Sequence, residues 1–193
     1  QGRNSRGVIA VSRLNNEIIQ EDVDRVNDAA KSVAIPSNRE IIHFLPKEYI
    51  VDDAGGISNP IGMSGMRLES EVYIITSDKN QISNVSRAVE KAGYKVGAIY
   101  FNPLSSAKAV LSDDEKRMGV ILIDLGSETT DIALYNNSLL SHTASIGIGG
   151  RDITYDLANR LKIPFDTAEI LKKQHSAVMS RFSDKSEIEI EGF

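Results

Sequence analysis

The chain has 193 residues, 22 of them basic and 27 acidic, for a formal charge of −5, with 41% hydrophobic residues and neither cysteine nor tryptophan. That length suits one or two domains with a core that needs no staples, and the missing cysteines remove disulfides, thiolate metal sites and a cysteine nucleophile together. The acidic balance, the lack of a basic stripe and an aromatic content of only 6% argue against a nucleic-acid partner.

The longest apolar runs, such as Val120 to Ile123, fall far short of the ~20 residues of a membrane span. The polar start, Gln1 to Arg6, has no apolar signal core. Without an initiator Met, the sequence is expected to be a piece of a longer protein.

In chain order, Gly7 to Ser12 reads as a short apolar strand. Val23, Val26, Ala30 and Val33 recur at helical spacing over Glu21 to Ala34, with acidic residues at the start and Pro36 as the stop. Ile41 to Val51 is rich in β formers, and Pro46 inside it predicts an edge strand or a bulge. Residues 52–66 hold four glycines before Gly65's neighbour Met66 and read as a loop carrying Ile57, Ile61 and Met63. Loops of this length usually have a function, so Gly56 to Arg67 reads as a contact surface. Arg67 to Thr76 alternates Leu68, Val72 and Ile74 with Arg67, Glu69 and Glu71, the pattern of a half-buried strand.

Ser77 or Asp78 is placed to cap a second helix bearing Ile82, Val85, Val89 and Ala92 and ending at Gly93. A short strand, Val96 to Phe101, is expected next. Asn102-Pro103 then starts a helix to about Leu111. The charged run Ser112 to Lys116 reads as a connector between domains. Strands follow over Gly119 to Asp124, Thr130 to Tyr135 and Ser141 to Ile148, the last two joined by a turn at Asn136-Asn137-Ser138. Gly149-Gly150 precede a helix over Asp152 to Leu161, and Asp166 or Thr167 caps another to about His175. Lys185 to Phe193 alternates Glu with Ile, as a solvated strand face does. His43, His142 and His175 lack companion ligands at metal spacing and read as structural or surface residues.

The densest chemical signal is Asp124-Leu125-Gly126-Ser127-Glu128-Thr129-Thr130-Asp131. An apolar strand delivers a carboxylate at its end, and a small, hydroxyl-rich turn follows that suits phosphate oxygens. A strand-end Asp suits Mg²⁺ held through water. The same residues also fit a plain hairpin with capped ends. Gly149 and Gly150, before a helix N-terminus, add a second anion-friendly feature. Glu169, Lys172 and Lys173 share one helix at three- and four-residue spacing.

This order of parts resembles the actin-like ATPase superfamily, which includes actin, the 70-kDa heat-shock proteins and sugar kinases. Asp124 to Asp131 is similar to its second phosphate motif, Asn102 to Ala107 to its connecting helix, and Glu169-x-x-Lys172-Lys173 to its adenosine-side helix. Within it, the chain more closely resembles the bacterial cell-division family FtsA. The residues that carry this are Asn4-Ser5-x-Gly7-Val8, Glu21-Asp22-Val23, Ala30-Lys31-Ser32-Val33, Pro46-x-Glu48-Tyr49-x-x-Asp52 and Val89-Glu90-x-Ala92-Gly93. The most specific is Gly56-Ile57-x-Asn59-Pro60-Ile61-Gly62-Met63-Ser64-Gly65-x-Arg67.

The resemblance implies a mixed α/β, actin-like (ribonuclease H-like) fold. Residues 1–78 would form subdomain 1C, an inserted strand–helix–strand–strand (SHS2-like) module. Residues 79–113 would be the end of subdomain 1A, 114–180 subdomain 2A, and 181–193 the start of 2B. The first phosphate motif and a C-terminal amphipathic membrane helix would lie outside this chain. It further implies ATP and Mg²⁺ as ligands and at most weak ATPase activity. Self-association into filaments, and partnership with the tubulin-like protein FtsZ and other septum-forming proteins on the cytoplasmic face of the inner membrane, are implied as well. The site it implies has Asp124 on Mg²⁺ through water, Gly126, Ser127, Glu128, Thr129 and Thr130 around phosphates, Gly149 and Gly150 at the next helix, and Glu169, Lys172 and Lys173 toward adenosine.

One departure stands out. The family usually has three glycines where this chain has Gly126-Ser127-Glu128. Either the backbone turns Glu128 outward, or its charge weakens phosphate binding. Two other readings stay open: a pilus-assembly adaptor with the same insert, against which the specific loop argues, and a small-molecule kinase, for which only Asp52 or Asp53 would be an unclaimed carboxylate.

Overall fold

Strand β1 (Gly2–Ala10) pairs antiparallel with β4 (Arg67–Asp78) along its whole length, from Gly2 opposite Ile75 to Ala10 opposite Arg67. This is the computed structural model of the chain, which describes residues 1–12, 15–32 and 35–182. β1 starts five residues before the expected apolar run, because β4 offers it a partner over that stretch. With β2 (Arg39–Val51) and the short β3 (Ala54–Ile57) the sheet order is β1-β4-β2-β3. β3 falls within the segment expected to be all loop. The expected irregularity at Pro46 is present: the β2–β4 register shifts between Pro46 and Glu48, where proline has no ladder donor to give.

Helix α1 (Gln20–Lys31) lies against β1 and β4, with Val23, Val26 and Ala30 buried, and the Asp22 carboxylate accepts the Ile19 N–H at its start. Gly7 lets the helix approach, since a Cβ there would stand 2.6 Å from the Ala30 nitrogen. Val11, Ile18, Val23, Val26, Tyr49, Val51 and Leu68 form the core on that side.

β4 is not the half-buried strand of the alternating pattern. Leu68, Val72 and Ile74 are buried, and so are Tyr73, Ile75 and the acidic Glu69, at 2% exposure. Position in mid-sheet, with both faces covered, overrides the pattern. Glu69 tolerates burial because Arg6 and Arg67 both pair with it, the latter at 2.8 Å. Residues 58–66 are tied to the segment before α1. Ile18 N donates to Met63 O, Gly62 N to Ile18 O and Gly65 N to Asn16 O, while Ile61, Met63 and Met66 stay exposed.

Helix α2 (Lys79–Lys91) is capped by Asp78, which accepts from Asn80 N at 2.8 Å, and Gly93 ends it at φ +87°. The strand expected over Val96 to Phe101 is not formed. That segment finds no ladder partner among the described residues and runs as irregular backbone. Helix α3 (Asn102–Val110) has Phe101 as its N-cap, one residue earlier than expected. Ser112 to Lys116, read as a connector, takes the form of a helix start: it opens α4 (Asp113–Met118), capped reciprocally by Ser112 and Glu115.

The second sheet is a meander of β5 (Val120–Leu125), β6 (Thr130–Asn136) and β7 (Leu139–Ile146). Asn137 and Ser138 both take positive φ in the two-residue turn between β6 and β7. β5 is covered on one face only: Ile121, Ile123 and Leu125 are 60%, 57% and 77% exposed, against an expected buried strand. Ala133, Tyr135 and Leu140 share a core with Tyr73, Ile75 and Ala107. There Tyr73 Oη accepts the Thr143 N–H at 2.7 Å and shares a hydrogen bond with Thr143 Oγ1 at 2.9 Å.

Helices α5 (Gly150–Leu161) and α6 (Phe165–His175) follow and pack on each other. Two compact units result, Gln1–Leu122 with Ile132–Ala144, and Ile123–Asp131 with Ser145–Phe193. The expected strand at 185–193 lies outside the described residues, as does nearly all of the segment assigned to 2B.

Candidate functional site

β5 delivers Asp124 and then Leu125 to a turn that Gly126 N closes by donating to Thr129 O at 2.8 Å. A Cβ on Gly126 would stand 2.9 Å from that same carbonyl, so the closure favours glycine. Thr129 Oγ1 donates to Asp131 at 3.4 Å and Thr130 Oγ1 to Ile148 O at 2.7 Å. The second of these bonds ties the turn to the glycine segment that starts α5.

Gly149 is extended, at φ −150° and ψ −167°, and its N–H is accepted by Asp152 at 2.7 Å. The first two amides of α5 point at the turn: Gly150 N donates to Gly126 O at 2.9 Å, and Arg151 N to Ser127 O at 2.8 Å. A Cβ on Gly149 would come within 2.6 Å of Gly126 O. Gly149 and Gly150 thus seat the turn on the positive end of α5, and the Gly150 and Arg151 amides serve the protein's own carbonyls.

From α6, the Lys172 ammonium donates to Gly150 O and Thr154 Oγ1, both at 2.8 Å, and to Glu169 Oε2 at 2.7 Å. That uses the three donors a lysine has. Thr154, fully buried on α5, also donates to Glu169 at 2.5 Å. Lys173 pairs with Glu169 at 3.3 Å from an exposed position. Hydrogen bonds from Lys172 first and Thr154 second hold the Glu169 carboxyl down at about 2.

Leu125, Gly126, Ser127, Gly150, Arg151, Phe165, Glu169 and Lys172 line one pocket of about 500 Å³. Of the sequence-predicted residues, the structure brings Gly126, Ser127, Gly150, Glu169 and Lys172 to this wall. Asp124 is half-buried at the end of β5, beside the turn in sequence. Glu128 is not in the left-handed region and its side chain is exposed, but its carboxylate does not simply face solvent: it meets Arg151 Nη1 at 2.7 Å. That pairing raises the Arg151 pKa from its ordinary value. The guanidinium also lies 5.5 Å from the Tyr155 ring and 5.7 Å from the Phe165 ring.

Arg151, Thr154, Phe165 and Leu125 were not singled out from the sequence. The available signal was Arg151 itself, a cation directly after the glycine pair and opposite in sign to the anomalous Glu128. The donor set fits a nucleotide. Leu125 and Phe165 give apolar surface, Arg151 and Lys172 positive charge, and the volume lies in the usual range of small-molecule sites. No group of three metal-ligating side chains exists among the described residues. Asp124 therefore fits Mg²⁺ only in the manner of one carboxylate plus water and ligand phosphates. No helix of the described residues is long and apolar enough to cross a membrane.

Comparison with known proteins adds the following. Residues 1–76 match the family model described as "SHS2 domain inserted in FTSA", and residues 121–193 the one described as "Cell division protein FtsA". The chain is 46% identical over 172 residues to cell division protein FtsA of Borreliella burgdorferi, covering 89% of this chain and 42% of that protein. With the Pseudomonas aeruginosa FtsA it is 38% identical over 184 residues, 95% of this chain and 44% of the relative. With FtsA of Escherichia coli K12 the figures are 36% over 185 residues, 96% and 44%. It therefore spans less than half the length of these curated relatives. A solved structure of the PilM-PilN type IV pilus biogenesis complex aligns with a TM-score of 0.56 at 17% identity, covering 90% of this chain and 47% of that one, a likeness of fold. The expected mixed α/β, actin-like class holds, and the chain belongs to the FtsA family of actin-like cell-division proteins.

Proposed function

We propose that the protein to which this stretch belongs binds Mg-ATP in the pocket between the glycine turn, α5 and α6. The observation that carries this reading is the convergence of Gly126, Ser127, Gly150, Arg151 and Lys172 with apolar Leu125 and Phe165 around one cavity. The turn Gly126 to Thr129 would face the phosphates, with Thr130 and Gly149 fixing its seat. Asp124 would hold Mg²⁺ through water, and the ion would neutralise phosphate charge. Glu169, Lys172 and Lys173 would border the adenosine side. Among the described residues that line the pocket the one carboxylate, Glu169, is held by Lys172, Lys173 and Thr154, and ATP acts as a conformational and assembly ligand, stabilising the bound state by mass action.

The wider role follows the family. Residues 1–78 serve as subdomain 1C, 79–113 as part of 1A, 114–180 as 2A and 181–193 as the start of 2B. The protein assembles with its own copies, links FtsZ to the membrane and to later division proteins, and works at the bacterial division site. The exposed Ile61, Met63 and Met66 of the loop at 58–66 support a contact role for 1C. Membrane attachment would come from a C-terminal helix outside this chain.

Calorimetric titration of the full-length protein with Mg-ATP tests the reading. Saturable micromolar binding is the expected result. Folded, full-length protein that takes up no heat from Mg-ATP or Mg-ADP would leave a scaffold with an actin-like shape and no nucleotide.

A further inference from the structure

Glu128 stands two residues past Gly126, where it projects a carboxylate from the very turn proposed to meet phosphates. Its partner Arg151 is the second residue of α5, and the Arg151 amide is fixed to Ser127 O of the same turn. The side chain therefore starts at the turn, runs past the Tyr155 and Phe165 rings, and ends at Glu128, 2.7 Å away. Arg151 lines the main pocket and also a second cavity of about 350 Å³ shared with Glu128, Gly147, Asp152 and Tyr155. Both side chains are partly exposed, 46% for Arg151 and 70% for Glu128, so the pair sits where exchange is cheap. Lys172, the other cation of the main pocket, is placed differently: its three donors are on Gly150, Thr154 and Glu169 inside the unit.

We propose that Glu128 is a tethered anion that occupies Arg151 when the site holds no ligand, and that Arg151 is the side chain a phosphate-bearing ligand captures from it. This rests on the nucleotide reading above and adds its regulation. The Glu128 carboxylate offers one negative charge and one hydrogen-bonded oxygen. A nucleoside triphosphate offers several of each, and the planar guanidinium matches a phosphate through two parallel donors. Capture swings Arg151 from Glu128 to the ligand, so the pair sets a threshold on affinity.

The test is Mg-ATP titration of full-length protein as the unmodified chain, Glu128→Gln, Arg151→Gln and the double variant, with Glu128→Ala as a second removal of the charge. Thermal melts of each check the fold. Glu128→Gln and Glu128→Ala are expected to bind Mg-ATP about fivefold more tightly, the scale of one partly exposed ion pair. Arg151→Gln binds more weakly than the unmodified chain, and the double variant loses the gain of Glu128→Gln. Adenosine, which lacks phosphate, shows no gain. If the double variant keeps the full gain, or adenosine gains equally, Arg151 does not take the phosphates and the inference is overturned while the nucleotide reading stands. Binding in none of the five proteins overturns both together.

Discussion

The Lys172 ammonium on α6 donates to the carbonyl oxygen of Gly150, the first residue of α5, at 2.8 Å. Since Gly150 in turn donates to Gly126 O, the lysine, the helix start and the glycine turn form one chain of hydrogen bonds. Lys172 thus positions the site whether or not it touches a ligand. Its replacement by Met, which keeps the stem but no donor, takes one partner each from the Gly150 carbonyl and the buried Thr154 hydroxyl, which keep the bond between them at 3.2 Å. A loss of roughly 1–2 kcal/mol in the unfolding of the second unit is expected, read by denaturant melts. An unchanged melt would show that water replaces the ammonium.

Glu169 adds a pH signature. Its carboxyl is held at about 2, first by Lys172 and then by Thr154, against an ordinary value of 4.5. A depressed carboxyl contributes stability that is present above 4.5 and disappears as pH falls toward 2. Acid melts between those limits should show a loss that Glu169→Gln does not share. Equal acid sensitivity in both proteins would place the titrating group elsewhere.

How far the sequence reached depended on what kind of physics fixed each part. Local signals were legible: Asp78 as a cap, Gly93 as a stop and the Asn137-Ser138 turn need only neighbours in the chain. Tertiary position was not. The alternation Arg67, Glu69, Glu71 reads as a solvent face, and nothing local reveals that Arg6, 63 residues away, meets Glu69 in mid-sheet. Val96 to Phe101 has strand-like residues but no partner strand among those described, and a strand exists only as part of a ladder. At the site, the glycines and Lys172 were legible as types. Arg151 was not, because its pairing with Glu128, 23 residues away, is made by the tertiary structure.

His43 gives a second titration with a different cause. Its Nε2 accepts the Phe101 N–H at 2.9 Å, and burial pushes its pKa below the ordinary 6.5. The folded chain thus favours the neutral ring, so the contribution to stability is complete above 6.5 and falls as pH drops below it. An NMR titration should place the His43 midpoint under 6.5, and protonation should release the Phe101 amide to faster exchange. A midpoint above 6.5 would contradict the acceptor role.

Tyr73 reports on the first unit. Its hydroxyl is buried and serves both the amide and the hydroxyl of Thr143. Tyr73→Phe keeps the ring but leaves the Thr143 N–H unpaired in the core, at a cost of about 1–3 kcal/mol. Tyr73→Phe with Thr143→Val should recover little of that, because the backbone amide stays orphaned in both. Near-complete recovery in the double variant would mean that the side-chain hydroxyl, not the amide, is the costly group.

Gly149→Ala attacks the seat of the turn directly. Gly149 is extended rather than left-handed, so alanine meets no backbone strain there. The obstacles are the carbonyl oxygens of Ser127, which is nearest, and of Gly126, 2.6 Å from the added methyl. The turn and the start of α5 must separate, which breaks the Gly150 to Gly126 and Arg151 to Ser127 bonds together. Mg-ATP binding by the full-length protein should fall at least about tenfold, the equivalent of 1.4 kcal/mol, while Gly147→Ala, whose added Cβ meets nothing within 4 Å, leaves it nearly unchanged. Equal losses in the two variants would mean that chain flexibility before α5, and not the contact between Gly149 and the turn, governs the site.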